Sequence, residues 1–344
     1  MVWVPPAGNG TLPVVEPRGM AGAICARSRE GAKTLEPILD ASGSQPSQAA
    51  AGLPLPRAAT GRQYLVFVRA GRESWHKQLM LEDPDRNWDC CVNWYDAPPE
   101  DGLAEYCCGA ADSPAINKLE GFLEFWGRRP LPWDYRYIAL LDDDVYLRPG
   151  QLSRFFQLCD LHSVYLCQPA LRWLTHTTLN SLVRNPMCLL RRVTFVEAMA
   201  PCFSNAALES LVHTFRWTRS VWGIDWAWGA LLEGHEPLYV VDAVSMQHTR
   251  TGNGRPTTFY RKLRAAGIDP GDDLRRIQKM FPAYAGPRTL PQGHVFRAAL
   301  PGRLAWAAMF LFERLKFIVR AKKQFLRTWR SCRAWLENAA RQGN

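Results

Sequence analysis

Three carboxylates stand in a row at Asp142, Asp143 and Asp144, directly after the apolar run Ile138-Ala-Leu-Leu141. Adjacent like charges repel, so acids delivered to the end of a buried segment need a counter-charge. Carboxylate oxygens are the ligands that Mg²⁺ and Mn²⁺ prefer, and such ions commonly hold substrate phosphates as well. An acidic triplet is also an ordinary solvated loop. What favours the cation is its place after a buried strand, because open α/β sheets bind ligands beyond the carboxyl ends of their strands. Mn²⁺ or Mg²⁺ is therefore the expected cofactor, with Asp142 and Asp144 supplying the Asp-x-Asp pair.

Further residues carry chemistry in their type and setting. Asp225 lies in Trp222-Gly-Ile-Asp-Trp-Ala-Trp228. An acid at a helix start is often only a cap or a dipole partner. Among three Trp residues it is also a candidate base with a raised pKa, able to deprotonate a hydroxyl while the rings stack on a sugar. His248 follows the apolar run Tyr239-Val-Val-Asp-Ala-Val244 and is either a hydrogen-bonded structural histidine or the third member of an oxygen-rich metal site. Glu197, inside Phe195-Val-Glu-Ala-Met199, either contacts a substrate or pairs with Arg191 or Arg192. Arg69 and Lys118 are candidate contacts to a nucleotide and a phosphate, or plain surface charges.

The elements that must position these residues follow from periodicity. Buried strands are expected at Tyr64–Arg69, Trp88–Asp96, Tyr137–Leu141, Ser163–Gln168, Val193–Met199 and Leu238–Val244. Ser113 as N-cap and Pro114 at the first helical position start a helix that runs to about Gly127. Further helices are expected at Pro149–Leu161, Asn205–Phe215 and from Trp222-Gly-Ile-Asp225 through Leu232. Strands alternating with helices define an α/β fold with a mixed, largely parallel sheet flanked by helices, Rossmann-like in kind, with a C-terminal amphipathic helical extension.

Of the 344 residues, 47% are hydrophobic and 22% charged, values of a globular chain with a sizeable core. The net charge of +10 favours polyanionic or phosphate-bearing partners, and it is concentrated near the C-terminus. The ten Cys residues include no C-x-x-C pair, and the His residues fall at no zinc-finger spacing, which points to reduced thiols. The start MVWVPPAGNG lacks a basic region and an apolar run, so no secretory signal is expected and a cytoplasmic location is. Residues 1–60, rich in Ala, Gly, Pro and Ser, are expected to be a disordered leader, with Met20 as an alternative start. The catalytic domain is expected over 61–300 and a basic helix over 301–344.

An Asp-x-Asp after an apolar strand, Trp-Gly-x-Asp opening a helix about 80 residues on, and a strand-end His beyond it resemble a GT-A glycosyltransferase. The blocks Tyr137–Asp144, Cys167–Leu171, Phe195–Ser204, Trp222–Asp225 and Val240–Arg250 are similar, more narrowly, to the domain-of-unknown-function family numbered 707. The likeness spans about Gln63 to Arg250. It implies a GT-A-like fold and metal-dependent transfer of a sugar from a nucleotide-sugar donor to a glycan or lipid-linked acceptor, as in polysaccharide biosynthesis. It further implies that Asp142 meets the ribose or the metal's water shell, beside Asp143, that Asp144 and His248 hold the metal, and that Asp225 is the base of an inverting reaction. The usual inverting motif has Glu-Asp after Trp-Gly, whereas Ile224 precedes a single acid here.

From Leu304, aromatic and aliphatic residues recur at helical spacing among Lys and Arg, a pattern suited to an anionic membrane surface over 304–336 and a peripheral position at the inner face. The same helix packed on the domain with its basic face in water is the plainer reading. Two competing functions follow from the same residues. A degenerate transferase that only binds glycans or nucleotides would have lost metal-dependent donor binding. A nucleic-acid binder would show steep salt dependence, but no nucleic-acid motif supports it and no such partner is expected.

Overall fold

The computed structural model of the protein describes residues 61–95, 102–109, 115–129, 134–173, 175, 177, 179–250, 258–297, 304, 307–316 and 318–319. The expected leader over 1–60, the Ser113–Pro114 helix start and the tail beyond Val319 lie outside the described residues.

Strands β1 (Tyr64–Ala70) and β2 (Trp88–Trp94) are buried at every position. Such continuous burial belongs to parallel strands covered on both faces. β1 pairs in parallel with β2 and with β4 (Tyr137–Asp142), and β3 (Tyr106–Cys108) extends the sheet beyond β2. On the other side of β4 the short β8 (Cys202–Ser204) is antiparallel to both β4 and β6 (Leu166–Leu171). β9 (Leu238–His248) then runs parallel to β6, and β7 (Cys188–Val193) and β10 (Val295–Phe296) complete the order β10-β7-β9-β6-β8-β4-β1-β2-β3. The short β5 (Val145–Leu147) folds back onto the far end of β9. β1, β2, β3, β4, β6 and β9 thus point the same way, and their carboxyl ends share one edge.

Helices α1 (His76–Leu81), α2 (Lys118–Trp126), α3 (Gln151–Leu161), α4 (Asn205–Leu211), α5 (Ile224–Leu232), α6 (Thr258–Ala265) and α7 (Pro270–Met280) accompany the sheet. This is a mixed α/β fold with a largely parallel sheet, as expected. The helix anticipated from Ser113 starts later. Asn117 is its cap, extended in backbone, with its side chain accepting from the Glu120 N–H at 3.0 Å. Asn is as good an N-cap as Ser, and the helix opens on it. In α2, Leu119, Phe122 and Phe125 form the buried stripe, with Phe122 edge-on to Phe67 of β1 at 5.2 Å.

The expected strand Val193–Met199 is a correction. The strand runs from Cys188 and stops at Val193, and residues 194–200 form an irregular segment inside the core. The Thr194 N–H donates to the Arg288 carbonyl, the Thr194 hydroxyl to the Gly286 carbonyl, and the Ala200 N–H to the Glu197 carbonyl, so the chain turns inward instead of pairing. An apolar run of this length does not distinguish a buried strand from a buried loop.

Residues 307–316 are helical, and this tail helix packs on the domain. It does so in an unexpected orientation. Met309 and Lys316 are buried, and Glu313 and Lys316 join an interior polar network described below.

Candidate active site

Asp142 closes β4, in register with Arg69 at the corresponding end of β1. Its N–H donates to the Met199 carbonyl, which ties the strand end to the inward turn. Its carboxylate lies 2.7 Å from Lys118 Nζ and keeps 43% side-chain exposure, so it sits where water enters an otherwise protein-lined recess. Burial raises its pKa, Lys118 opposes that shift, and the charges of Asp144 and Asp143 add to it.

Lys118 itself is buried. Its ammonium donates to the carbonyls of Leu140 (3.0 Å), Ala198 (2.7 Å) and Met199 (2.9 Å) as well as meeting Asp142. An ammonium has three donors, and four acceptors already surround it. The expected reach to a phosphate is therefore corrected: Lys118 fastens α2, the end of β4 and the turn at 198–199 to one another. Arg69 is likewise buried, donating to the Asn93 side chain and the Ala115 carbonyl, with Tyr95 5.8 Å from its guanidinium.

The middle acid turns away from the recess. Asp143 accepts from the Gly71 N–H (3.0 Å), the Tyr95 hydroxyl (2.8 Å) and Arg250 (3.0 Å). Gly71 is required there, because a Cβ would lie 2.2 Å from the Tyr95 hydroxyl oxygen. Asp143 thus locks the loop after β1 to the loop after β9, and its neighbours Asp142 and Asp144 are left to the recess.

Asp144 and His248 face each other. The Asp144 carboxylate is 3.0 Å from His248 Nε2, an approach enforced by the pairing of Val145 with His248 across β5 and β9. The Asp144 carbonyl accepts from both the N–H and the hydroxyl of Thr249, and Thr175 holds the His248 N–H at 2.9 Å. Burial disfavours the charged imidazole, but the carboxylates of Asp144, Asp142 and Glu197 outweigh it and raise the pKa of His248.

Glu197 and Asp225 complete the recess. The Arg pairing open to Glu197 does not occur with Arg191, which is bound by Asp242 instead. The Gln168 side chain accepts from the Glu197 N–H at 2.5 Å. Glu197 Oε2 is buried with no hydrogen-bond partner among the described residues. Burial and the nearby charge of Asp225 push Glu197 up to about 7, against the pull of His248 and Lys118. Asp225 accepts from the Ala198 and Trp226 N–H groups, and burial still raises it to about 6. Two carboxyls poised near neutrality in one recess are a common mark of a catalytic centre.

Of the three Trp residues around Asp225, Trp222 is exposed, at 42%, Trp226 half-buried and Trp228 buried. Trp228 is core, edge-on to Phe203, and Trp226 packs on Tyr284. The approach to α5 is strained: Val221, a β-branched residue, has φ +69°, and Gly223 follows at +86°. A Cβ on Gly223 would meet Leu274 and Ile277 of α7 at 3.1 Å. The carboxylate of Asp273, also on α7, accepts from the N–H groups of Arg219 and Ser220 and the hydroxyls of Thr218 and Ser220. Asp273, Gln168 and Thr175 are thus supporting residues that sequence reasoning missed. Nothing local marks them, since each acts across 29 to 73 positions of chain.

A divalent ion fits this donor set. In octahedral coordination with bonds of about 2.1 Å, two adjacent ligand atoms lie about 3.0 Å apart. That is the separation of Asp144 Oδ2 and His248 Nε2. Among the described residues the three cysteines 159, 167 and 202 are the one set of three such ligand atoms lying mutually within 4.8 Å, so Asp142 does not close a three-ligand cage here. A site with two protein ligands leaves positions for phosphate oxygens and water, the usual arrangement for Mg²⁺.

The fold and the recess define an α/β protein with a cation-suited acidic site at the carboxyl ends of its parallel strands. No family model matches the chain, so the narrower resemblance to family 707 has no match behind it, and no curated protein matches it either. Among solved structures, it overlays on GalNAc-T7, a crystal structure with UDP, GalNAc and Mn²⁺, at TM-score 0.45 and 8% identity over 63% of this chain and 47% of that one. It overlays on TarS of S. aureus at TM-score 0.38 and 9% identity, over 63% of this chain and 43% of that one. A TarS 1–349 structure in complex with UDP-GlcNAc gives the same score and identity and is covered over 72% of its length. The chain thus spans less than half of the first two.

Proposed function

We propose that the protein is a metal-dependent glycosyltransferase of GT-A type that moves a sugar from a nucleotide-sugar donor to a glycan or lipid-linked acceptor. The observation that carries this reading is the pairing of Asp144 with His248 beside Asp142, with the carboxyls of Glu197 and Asp225 in the same recess. Asp144 and His248 would hold the ion, and Asp142 would face its water shell or the ribose. Bound there, Mn²⁺ or Mg²⁺ would supply the positive charge that offsets the departing nucleoside diphosphate.

The chain's own residues do the rest. Trp222 offers a ring on which a sugar stacks. Asp225, oriented by the Ala198 and Trp226 N–H groups, takes the proton of the acceptor hydroxyl, the role of a base in an inverting reaction. Glu197 Oε2, buried without a partner, receives a sugar hydroxyl. Lys118 and Asp143 keep Asp142 and Asp144 in place, and Arg69 fixes the nucleotide side of the recess through Asn93.

The test is a thermal-shift screen of nucleoside diphosphates and nucleotide sugars with and without Mn²⁺, because a ligand of the folded state raises its melting temperature. Stabilisation by one nucleotide only with Mn²⁺, followed by sugar release or transfer from the matching donor, supports the reading. A donor bound without turnover would favour the degenerate, binding-only alternative. No stabilisation by any nucleotide would remove both.

A further inference from the structure

The tail helix is docked with its charged side inward. Glu313 Oε1 accepts from Asn185 at 3.0 Å and meets Arg191 at 3.4 Å and Lys316 Nζ at 2.5 Å, while Lys316 also donates to the Val183 carbonyl at 2.8 Å. Arg191 in turn is fully buried and doubly hydrogen-bonded to Asp242 of β9. This network fixes the rotation of the helix about its axis. The consequence is that Leu304, Phe310, Leu311, Leu315, Ile318 and Val319 face outward, with Leu311 and Ile318 at 59% and 61% exposure. A soluble helix ordinarily buries that stripe.

The surface beside it is cationic. Arg184 and Arg297 both donate to the Asp242 carbonyl, next to the helix anchor. Burial and the charges of Arg184 and Arg154 lower the pKa of Arg297, and burial and Arg148 lower that of Arg172. Arg172 adjoins Trp173, whose ring is edge-on to Phe312 of the helix at 6.4 Å. None of Arg148, Arg154, Arg172, Arg184 and Arg297 is in an ion pair among the described residues. The sequence continues the pattern, with eight Lys and Arg against one Glu over residues 304–336.

We propose that this face is a docking surface for an anionic lipid bilayer, with the outward stripe of the tail helix lying in the interface plane and the flanking arginines on lipid phosphates. The exposed aliphatic side chains of Leu304, Leu311, Leu315, Ile318 and Val319, bordered by arginines outside any ion pair among the described residues, are complementary to a surface that is apolar below and anionic above. No helix among the described residues is long and apolar enough to cross a membrane, and the proposed contact is one along the surface. Trp173 is two residues from Thr175, which holds His248, so a bilayer docked here borders the rim of the acidic recess. The inference does not depend on the transferase reading.

The experiment is flotation of the full chain with phosphatidylcholine vesicles, with or without phosphatidylglycerol. The expected result is binding to the anionic vesicles at least about tenfold tighter than to neutral ones, weakened by added salt. Leu311→Glu with Ile318→Glu, and separately Arg148→Glu with Arg154→Glu, are each expected to weaken binding about tenfold or more. All four positions are exposed, so an unchanged melting temperature accompanies the loss. Absence of binding to anionic vesicles, or binding unaltered by both double variants, overturns the proposal. So does a stable dimer that Leu311→Glu dissolves while vesicles are ignored, since a second copy would then be the occupant.

Discussion

His248 Nε2 lies 3.0 Å from the Asp144 carboxylate although 104 residues separate them in sequence. The antiparallel pairing of β5 with β9 enforces that approach, and Asp143, bound to Gly71, Tyr95 and Arg250, prevents the acidic loop from relaxing away. The acidic triplet is therefore three residues with three tasks. Asp142 is held by Lys118, Asp143 is structural, and Asp144 is presented to the imidazole.

Lys118→Met is expected to lower stability by about 2–4 kcal/mol, because three carbonyls and one carboxylate lose their shared donor. Urea unfolding checks this through a lower midpoint at unchanged slope. A variant as stable as wild type would show that the ammonium is not the clamp its contacts describe.

Asp225→Asn is expected to stabilise the protein at pH 7.5 by about 1–3 kcal/mol while abolishing turnover. The folded pKa, about 6, lies above the ordinary 3.8, so the wild type loses stability as pH rises between those values and stays at the lower level above them. The advantage of the variant should accordingly be full above about pH 6 and vanish near pH 4. Melting temperatures across that range decide it. In the wild type, kcat/KM should fall as pH drops through about 6, as Asp225, the proposed base, becomes protonated.

Val221→Gly should raise the melting point, since glycine adopts a positive φ without the roughly 1 kcal/mol or more that a β-branched residue bears there. Turnover should fall at the same time, because the strained bend presents Trp222. Asp273→Ala, which frees Thr218, Arg219 and Ser220, should lower both stability and turnover. Scanning calorimetry alongside an activity assay separates the two signatures.

Asp242→Asn should cost about 3–5 kcal/mol, since it strips the fully buried Arg191 of its counter-charge. The tail helix, held through Arg191 and Glu313, should then become protease-sensitive before the sheet does. Limited proteolysis with mass spectrometry reads the order of cleavage.

The central strands were legible because β1, β2 and β4 are buried on both faces and spell apolar runs. The strand edge carrying the acids followed from that, and so did the helix opened by Trp222-Gly223. Strands of two or three residues such as β3, β5, β8 and β10 leave no period to read. The turn at 194–200 was misread as a strand because a buried loop and a buried strand share composition. Lys118 was misassigned for a different reason: a lysine at a helix start looks like surface charge until the carbonyls of Leu140, Ala198 and Met199 converge on it through space. The tail shows the same limit. Helical periodicity was readable, but its rotation was set by Asn185, Arg191 and Asp242, far away in sequence.

The most direct measurement is calorimetric titration of a nucleoside diphosphate into wild type, Asp144→Asn and His248→Ala, with and without Mn²⁺. Binding to wild type is expected to strengthen at least about tenfold with Mn²⁺, and either substitution to remove this gain while leaving the melting temperature near that of wild type. Binding that ignores Mn²⁺ in wild type, or a Mn²⁺ gain that survives both substitutions, would contradict that expectation.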